Sequence, residues 1–260
     1  MNPLSLPTKK CGLPFKEAIR LDPALKKYTI GKNRIDLGNT EALLLYNRLI
    51  IQNFLSLDFF IPPGYLVPTI CSRWAFISWI LQHHSPDPSR VLEVGTGASA
   101  ILALILAKIG CLVEATEINE VACEYAQKNI DINGLKCKII VRKVVADHIL
   151  RDLYNSIAHF DIIICNPPQY DKDYFQRQIT KKGFMGQESE LVGGNIGHEF
   201  IVRLLIELKS FKNSPPLYFQ LTSQKIQPKI NSYLSGEDYS FIEEQKSIGT
   251  RYRFYYRVTF

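Results

Sequence analysis

Short apolar runs alternate with segments of helical spacing along the chain from residue 90 onward. The runs that predict buried strands lie at 90–94, 111–118, 138–145, 160–165 and 217–222. The segments that predict helices lie between them, at 99–109, 119–132, near 147–154 and at 200–208. Because strands that alternate with helices are joined by right-handed crossovers, the pattern predicts an α/β protein with a mostly parallel, doubly wound sheet.

The C-terminal pattern is different. At 250–260, aromatic and apolar residues alternate strictly with three arginines and Tyr255. Such alternation predicts an edge or hairpin strand with one buried face, and 240–247 is its expected antiparallel partner.

The N-terminal third does not follow the alternation either. It predicts helices at 39–54 and 67–84. We therefore expect an N-terminal module, residues 1–89, docked on a core formed by residues 90–260. The chain of 260 residues, 46% of them hydrophobic, is long enough for one well-covered core with such an extension.

The excess positive charge lies entirely near the N-terminus. Residues 1–34 contain eight lysines and arginines and two acids, which accounts for the whole net charge of +6. A solvated tail and a phosphate-contacting arm both fit this distribution. The arm would gain affinity because clustered cations release counterions from a polyanion.

Other features of the composition exclude several classes of protein. No apolar run approaches the ~20 residues that cross a bilayer, and the N-terminus has no apolar signal region. We therefore expect a cytoplasmic protein with no membrane partner. The six cysteines form no C-x-x-C pair and the five histidines show no metal spacing, which favours buried thiols and no metal site.

The first predicted strand ends in a glycine turn. Ligands of doubly wound sheets bind at the carboxyl ends of the strands, where Gly95 and Gly97 allow the backbone to approach a ligand. Glu117 ends the next strand and can accept ribose hydroxyls, although an ordinary surface acid would also fit there. No Lys-Ser/Thr pair follows Gly97, which disfavours a P-loop. The pair of motifs favours a cofactor that carries a nucleoside.

The run DIIICNPPQY at 161–170 places an asparagine and two prolines at the end of the fourth strand. Because prolines stiffen the turn, the Asn166 side-chain oxygen and the Pro167 carbonyl become two acceptors at a fixed separation. They suit a primary amine on a planar ring, with its lone pair facing an electrophile. The methyl group of S-adenosylmethionine is the electrophile that fits. Asp147 would meet the adenine amino group of this cofactor or cap a helix.

Together these residues resemble the class I amino-methyltransferases, and more narrowly the RlmF / methyltransferase-like-sixteen family. The resemblance runs from about residue 25 to the C-terminus through RIDLGNTEALLLYNRLII, VPTICSRWAFISW, VLEVGTGASAI, ATEINEVACEYAQKNI, CNPPQY, ESELVGGNIGHEFIVRLLIE and GTRYRFYYRVTF. It implies a Rossmann-like sheet of seven strands, S-adenosylmethionine as cofactor, and methylation of adenine N6 in structured RNA. It also implies a chain that ends with the catalytic domain, without an accessory RNA-binding domain.

The resemblance also implies roles for individual residues. Arg73 would reach the cofactor carboxylate, and Gly95, Thr96, Gly97, Ser99 and Glu117 would bind the rest of the cofactor. The N-terminal module would bind RNA through Lys9, Lys10, Lys26, Lys27, Lys32 and Arg34, together with Lys181 and Lys182 from a long loop at 170–197. We interpret this loop as a mobile substrate flap or a disordered excursion.

One position departs from the family. Gln169 stands where the family has an aromatic residue that stacks on the target adenine. Tyr170 takes over the stacking, the substrate differs, or turnover is weak.

The sequence therefore predicts an RNA adenine-N6 methyltransferase that acts on ribosomal or small RNA. The alternatives are an enzyme that methylates a protein glutamine amide or another nucleobase amine, and an RNA-binding protein with little activity. We expect RNA as the partner, no obligate protein partner, and a monomer.

Overall fold

A seven-stranded sheet forms the centre of the computed structural model, which describes residues 12–84, 87–145, 149–150, 153, 156–181, 184–249 and 251–260. Its strands are β3 (Arg90–Val94), β4 (Leu112–Glu117), β5 (Ile139–Lys143), β6 (Ile162–Cys165), β9 (Leu217–Leu221), β10 (Ser240–Ile248) and β11 (Arg251–Thr259). They lie in the order β10-β11-β9-β6-β3-β4-β5, and only the pairs that involve β11 are antiparallel. The predicted parallel sheet with an antiparallel C-terminal hairpin is confirmed.

The remaining elements precede, connect or flank these strands. Two small pairs lie outside the sheet, β1 (Thr29–Ile30) with β2 (Arg34–Ile35) and β7 (Tyr170–Asp171) with β8 (Val192–Gly194). The α-helices of the described residues are α1 (Phe15–Leu21), α2 (Thr40–Leu55), α3 (Ile70–His83), α4 (Ile101–Lys108), α5 (Glu120–Ile132), α6 (Lys172–Ile179), α7 (Glu188–Leu191), α8 (Glu199–Ser210) and α9 (Gln227–Gly236). Short 3₁₀ helices lie at Pro23–Tyr28 and Ile157–His159.

Helix starts follow the local sequence. The side chain of Asn119 accepts a hydrogen bond from Ala122 N at 3.0 Å and caps α5. Asn39 caps α2 in the same way. The helix predicted near 147–154 lies mostly outside the described residues.

Each face of the sheet packs against its own hydrophobic cluster. One cluster contains side chains of α2, α3 and α4, and the other contains side chains of α8 and α9. Since α2 and α3 belong to residues 1–89, this N-terminal region shares a core with the sheet. The division of the chain at residue 89 stays a prediction.

The segment 250–260 forms the expected hairpin with 240–247, but the expectation that it is buried on one face only is wrong. β11 lies between β9 and β10, and residues 253–256 are buried on both sides. Tyr255, on the side that carries the arginines, packs against Phe76 and Trp79 of α3 at ring separations of 5.5 and 5.4 Å. This cover comes from a helix about 180 residues earlier in the chain, so the local alternation could not reveal it.

The structure also corrects the long loop predicted at 170–197. The described residues of this segment form α6, α7 and the β7–β8 pair. Helix α9 was not predicted. No helix among the described residues is both long and apolar enough to cross a membrane.

Candidate functional site

A cavity of about 250 Å³ opens at the carboxyl ends of the parallel strands. Residues that follow β3, β4, β5 and β6 line it. The strand order reverses between β3 and β6, because β4 and β5 are added on one side of β3 and β6 and β9 on the other. This is the switch point at which doubly wound sheets bind ligands. Of the predicted cofactor residues, the cavity lining includes Arg73, Gly95, Thr96, Gly97, Ser99 and Glu117.

The turn after β3 presents backbone to the cavity. Gly95 and Gly97 have φ angles of 72° and 66°, which glycine adopts without strain. The N–H groups of Gly95 and Thr96 both donate to the Thr116 carbonyl, at 3.0 and 2.9 Å. A Cβ atom at either glycine would meet nothing within 4 Å, so the turn faces open space that a ligand can occupy.

Glu117 is held firmly at the end of β4. Its Oε2 accepts from Gly97 N, and its Oε1 accepts from Ile118 N and Asn119 N, all at 2.9 Å. A carboxylate has about four acceptor positions, and these three bonds leave one open on Oε2. The geometry therefore leaves Glu117 room to accept a ribose hydroxyl.

A second acid, Glu93, was not identified from the sequence. It lies on β3, is 2% exposed, and lines the cavity. Burial raises its pKa to about 7, while a hydrogen bond from Thr96 Oγ1 at 2.9 Å and the charge of Arg73 favour the ionised form. Perturbed carboxyl groups of this kind cluster at functional sites.

Arg73 places a guanidinium at the cavity wall, and no acid in the described part of the chain is hydrogen-bonded to it to balance its charge. Burial and the nearby guanidinium of Arg253 lower its pKa to about 10. Among the described residues the Arg73 guanidinium forms no hydrogen bond, and the charge of Glu93 only partly opposes the lowering of its pKa. Because a partly buried cation is stabilised by an anion, this position suits the carboxylate of a ligand.

Asn166 follows β6 and lines the same cavity. Its Oδ1 accepts a hydrogen bond from Nε2 of Gln220 at 2.8 Å. Gln220 lies on the neighbouring strand β9, is fully buried, and leaves its own Oε1 without a partner among the described residues. The Asn166 oxygen has two lone pairs, so one remains for a second donor. Gln220 thus fixes the orientation of the Asn166 amide, and no local pattern in the sequence could identify it.

Within the rest of the N-P-P-Q segment, Pro168 lines the cavity and Gln169 does not. Gln169 is 8% exposed, and its Oε1 accepts from Thr222 N at 2.6 Å. Its Nε2 donates to the carbonyls of Pro167 and Gln220, both at 3.2 Å. Gln169 therefore braces the turn from inside and cannot stack on a substrate. Pro167 does not line the cavity, and its role as a second acceptor stays a prediction.

Two segments meet over one side of the cavity. Glu190 Oε2 accepts from Leu66 N and Gln187 N at 3.0 and 2.9 Å, and burial raises its pKa. The carbonyl of Gly64 accepts from Gly186 N and from Gln187 Nε2, both at 3.0 Å. Both segments contribute lining residues, so residues 64–68 and 186–192 close this side together.

The predicted RNA-binding cations that the structure describes do not line the cavity. Lys26, Lys27, Lys32, Arg34 and Lys181 are exposed. Lys9, Lys10, Lys182 and the predicted adenine contact Asp147 lie outside the described residues.

Comparison with known proteins adds sequence relatives. A family model described as RNA methyltransferase matches residues 13–230. A protein of Methanocaldococcus jannaschii, named provisionally as a methyltransferase, is 34% identical over 210 residues, which cover 78% of this chain and 80% of that protein. Ribosomal RNA large subunit methyltransferase F of Salmonella arizonae is 27% identical over 242 residues, 76% of each chain.

A human relative matches over a shorter region. RNA N(6)-adenosine-methyltransferase METTL16 of Homo sapiens is 30% identical over 162 residues, 59% of this chain. The match spans only 28% of the length of the human protein.

Solved structures share the fold. The human METTL16 catalytic domain in complex with MAT2A 3′UTR hairpin 6 has a TM-score of 0.85 at 21% identity, over 98% of this chain and 96% of that one. The N-terminal domain of human METTL16 in complex with SAH has a TM-score of 0.79 at 22% identity, over 98% and 97%.

Proposed function

Since the chain belongs to the RNA methyltransferase family, we propose that it transfers the methyl group of S-adenosylmethionine to N6 of an unpaired adenosine in RNA. The observation that carries the proposal is the position of Asn166, beside the glycine turn in one cavity, with an acceptor lone pair open. Relatives named for N6-adenosine and ribosomal RNA methylation support the choice of acceptor.

Several lining residues carry groups that match groups of the cofactor. Glu117 offers an acceptor position for a ribose hydroxyl, and the turn at Gly95 and Gly97 leaves space for the methionyl chain. Arg73 supplies the charge for its carboxylate, and Glu93 supplies the charge for its ammonium group. S-adenosylmethionine would supply an electrophilic methyl group on sulfur.

The protein's contribution to transfer is positioning. The adenine amine donates one N–H to Asn166 Oδ1, which directs the nitrogen lone pair toward the methyl carbon. As the N–C bond forms, the C–S bond breaks with its electron pair going to sulfur, and N6 then loses a proton to solvent. An adenine in a duplex uses its amine for pairing, so the acceptor is unpaired or flipped.

The ionisation of Glu93 gives a pH dependence. With the pKa of Glu93 near 7, its carboxyl is mostly neutral at lower pH, whereas a bound ammonium group favours the charged form. Cofactor binding then releases a proton. We expect the affinity for S-adenosylhomocysteine to rise about ten-fold per pH unit below pH 7 and to level off above it.

Calorimetry in buffers of different ionisation enthalpy measures this proton release. In Glu93→Gln the affinity should be weaker and nearly independent of pH across the same interval. A wild-type profile that is flat through pH 7, or an unchanged profile in the variant, would remove Glu93 from cofactor binding.

The hydrogen bond from Gln220 should matter for turnover rather than for stability. Gln220→Met removes the hydrogen bond to Asn166, which destabilises the fold. It also removes the buried Gln220 Oε1, which has no partner among the described residues, so the two effects offset each other and the free energy of unfolding should not fall. We expect kcat to fall about ten-fold, as the loss of one orienting hydrogen bond implies, with KM for RNA unchanged.

A double-mutant cycle separates positioning from a general packing effect. If Gln220 acts through Asn166, Gln220→Met should have no further effect on methylation in the Asn166→Ala background. Additive losses in kcat would show that Gln220 acts by another route.

Acceptor competition tests the proposed function. The protein is incubated with methyl-labelled S-adenosylmethionine, cellular RNA and cellular protein together, and both products are digested and identified by mass spectrometry. The expected label is N6-methyladenosine. Label on glutamine, or on a different nucleobase amine, would assign another acceptor, and RNA binding without label would indicate a binding protein.

A monomeric state and a cytoplasmic location stay predictions. Light scattering during size-exclusion chromatography measures the first, and localisation of the tagged full-length protein measures the second.

A further inference from the structure

An aromatic pair, with Tyr170 half-buried and Tyr174 exposed, lies next to the turn that follows β6. Tyr170 and Tyr174 contact each other edge to face, with ring centroids 4.7 Å apart and planes at 82°. Tyr170 follows Pro168 by two residues and pairs with Val192, and both Pro168 and Val192 line the cavity. Tyr174, one turn further along, is 39% exposed. The pair therefore extends outward from the cavity rim.

The aromatic pair is held in place from below. Asp171 caps α6 by accepting from Tyr174 N at 2.6 Å, and it also forms an ion pair with Lys225 at 2.9 Å. Phe175, the next residue, is 6% exposed and packs against Phe184 with ring centroids 5.9 Å apart. Phe175 and Asp171 already anchor α6. The Tyr174 ring is therefore not needed to hold this helix in place.

Basic side chains lie near the two rings. The Cζ atom of Arg177 lies 6.0 Å from the centroid of the Tyr174 ring. Gln169, which precedes Tyr170, accepts from Thr222 N and Ser223 N just after β9. Leu221 of β9 pairs with Phe254 of β11, so Arg251 at the start of β11 lies toward the same end of the sheet as the aromatic pair. Lys172, Arg177 and Arg251 are all exposed. Exposed aromatic faces among cations match the chemistry of unpaired bases on a phosphate backbone.

We propose that Tyr174, with Tyr170, Arg177 and Arg251, forms a stacking site for a nucleobase that flanks the target adenosine in unpaired RNA. The inference rests on the proposed function and adds a binding site for a second base. A base on Tyr174 would hold the strand while its neighbour enters the cavity at Asn166. Stacking on a ring tolerates any base, so this site would add affinity without reading sequence.

The test compares Tyr174→Ala with Tyr174→Phe, which keeps the ring. The probe is a short single-stranded adenosine oligonucleotide with one 2-aminopurine, whose fluorescence is quenched when it stacks. Binding is measured by titration of the full chain saturated with S-adenosylhomocysteine. We expect Tyr174→Ala to bind about ten-fold more weakly and to lose the quenching, and Tyr174→Phe to behave as wild type.

A matched control lies at the far end of β11. Phe260 is 40% exposed and contacts Tyr239 edge to face at 5.8 Å, with Lys209 over the Tyr239 ring at 4.6 Å. Phe260→Ala thus removes a similar ring about 30 Å along the strand from Arg251, and should leave RNA binding unchanged.

The outcomes separate this inference from the proposed function. Equal affinity and quenching in wild type and Tyr174→Ala, or no quenching in wild type, would overturn the stacking site. If the wild-type protein still forms N6-methyladenosine, only the stacking site fails. If it forms none, while Tyr174→Ala binds RNA more weakly and loses the quenching as expected, the proposed function fails and the stacking site stands.

Discussion

Asn166→Ala should lower the rate of RNA methylation about a thousand-fold, while the affinities for cofactor and RNA stay within a few-fold of wild type. The side-chain oxygen of Asn166 has an open acceptor position that can hold the adenine amine. Removal of one such preorganised group typically lowers kcat by roughly two to three orders of magnitude. Single-turnover kinetics with saturating RNA and S-adenosylmethionine measure the chemical step directly.

Asn129→Ala provides a contrasting control for Asn166→Ala. The Asn129 side chain is buried and donates to the carbonyls of Phe60 and Ala98, at 2.8 and 3.0 Å. Its loss should therefore destabilise the fold rather than slow the chemical step. Thermal unfolding should show the larger loss for Asn129→Ala. Unchanged methylation in Asn166→Ala would remove Asn166 from the mechanism, and loss of RNA binding there would show a structural role instead.

Arg73→Met should weaken the binding of S-adenosylhomocysteine about a hundred-fold or more. The guanidinium forms no hydrogen bond among the described residues, and loss of one partner of a partly buried charge pair commonly costs that much affinity, roughly. Because methionine keeps most of the side-chain volume, the packing of α3 against the sheet should be retained. Calorimetric titration measures the change.

A truncated ligand localises the effect of Arg73. Methylthioadenosine contains the adenosine and the sulfur but lacks the methionyl carboxylate and ammonium groups. Its affinity should be the same for wild type and Arg73→Met. If both ligands lose affinity equally, Arg73 shapes the cavity as a whole and does not bind the carboxylate.

Local sequence patterns predicted the parts of the site that belong to strand ends. The glycine turn, Glu117 and Asn166 each follow an apolar run, and the parallel order of β4, β3 and β6 brings them to one edge of the sheet. Alternation of strands with helices already implies this arrangement. The resemblance then supplied Arg73, which lies outside the sheet on α3.

Contacts between distant segments could not be predicted. Gln220 contacts Asn166 across 54 positions, and its strand showed only an apolar run with one polar residue. Tyr255 is covered by α3, which precedes it by most of the chain. Glu93 lies within the apolar run that predicted β3, and a single acid in such a run does not by itself indicate a functional site. Only the assembled fold shows that each of these side chains has a partner or a cavity beside it.

Gln169 illustrates how the structure changes an interpretation. From the sequence, a glutamine in place of an aromatic residue suggested stacking by Tyr170, a different substrate, or weak turnover. In the structure its amide joins the turn after β6 to residues 220–223 at the end of β9. Gln169 is therefore not placed to stack on a base, and stacking by the half-buried Tyr170 stays a prediction.

The central claim is that Asn166 holds a flat amine in line with a methyl group on sulfur. A crystal structure with a bisubstrate analogue, in which adenine N6 is tethered to the methionyl sulfur position of the cofactor, measures this geometry directly. We predict that N6 lies about 2.6–3.2 Å from Asn166 Oδ1 while Gln220 still donates to the same oxygen. An N6 atom bound elsewhere in the cavity, with the Asn166 amide contacting only Gln220, would contradict the account.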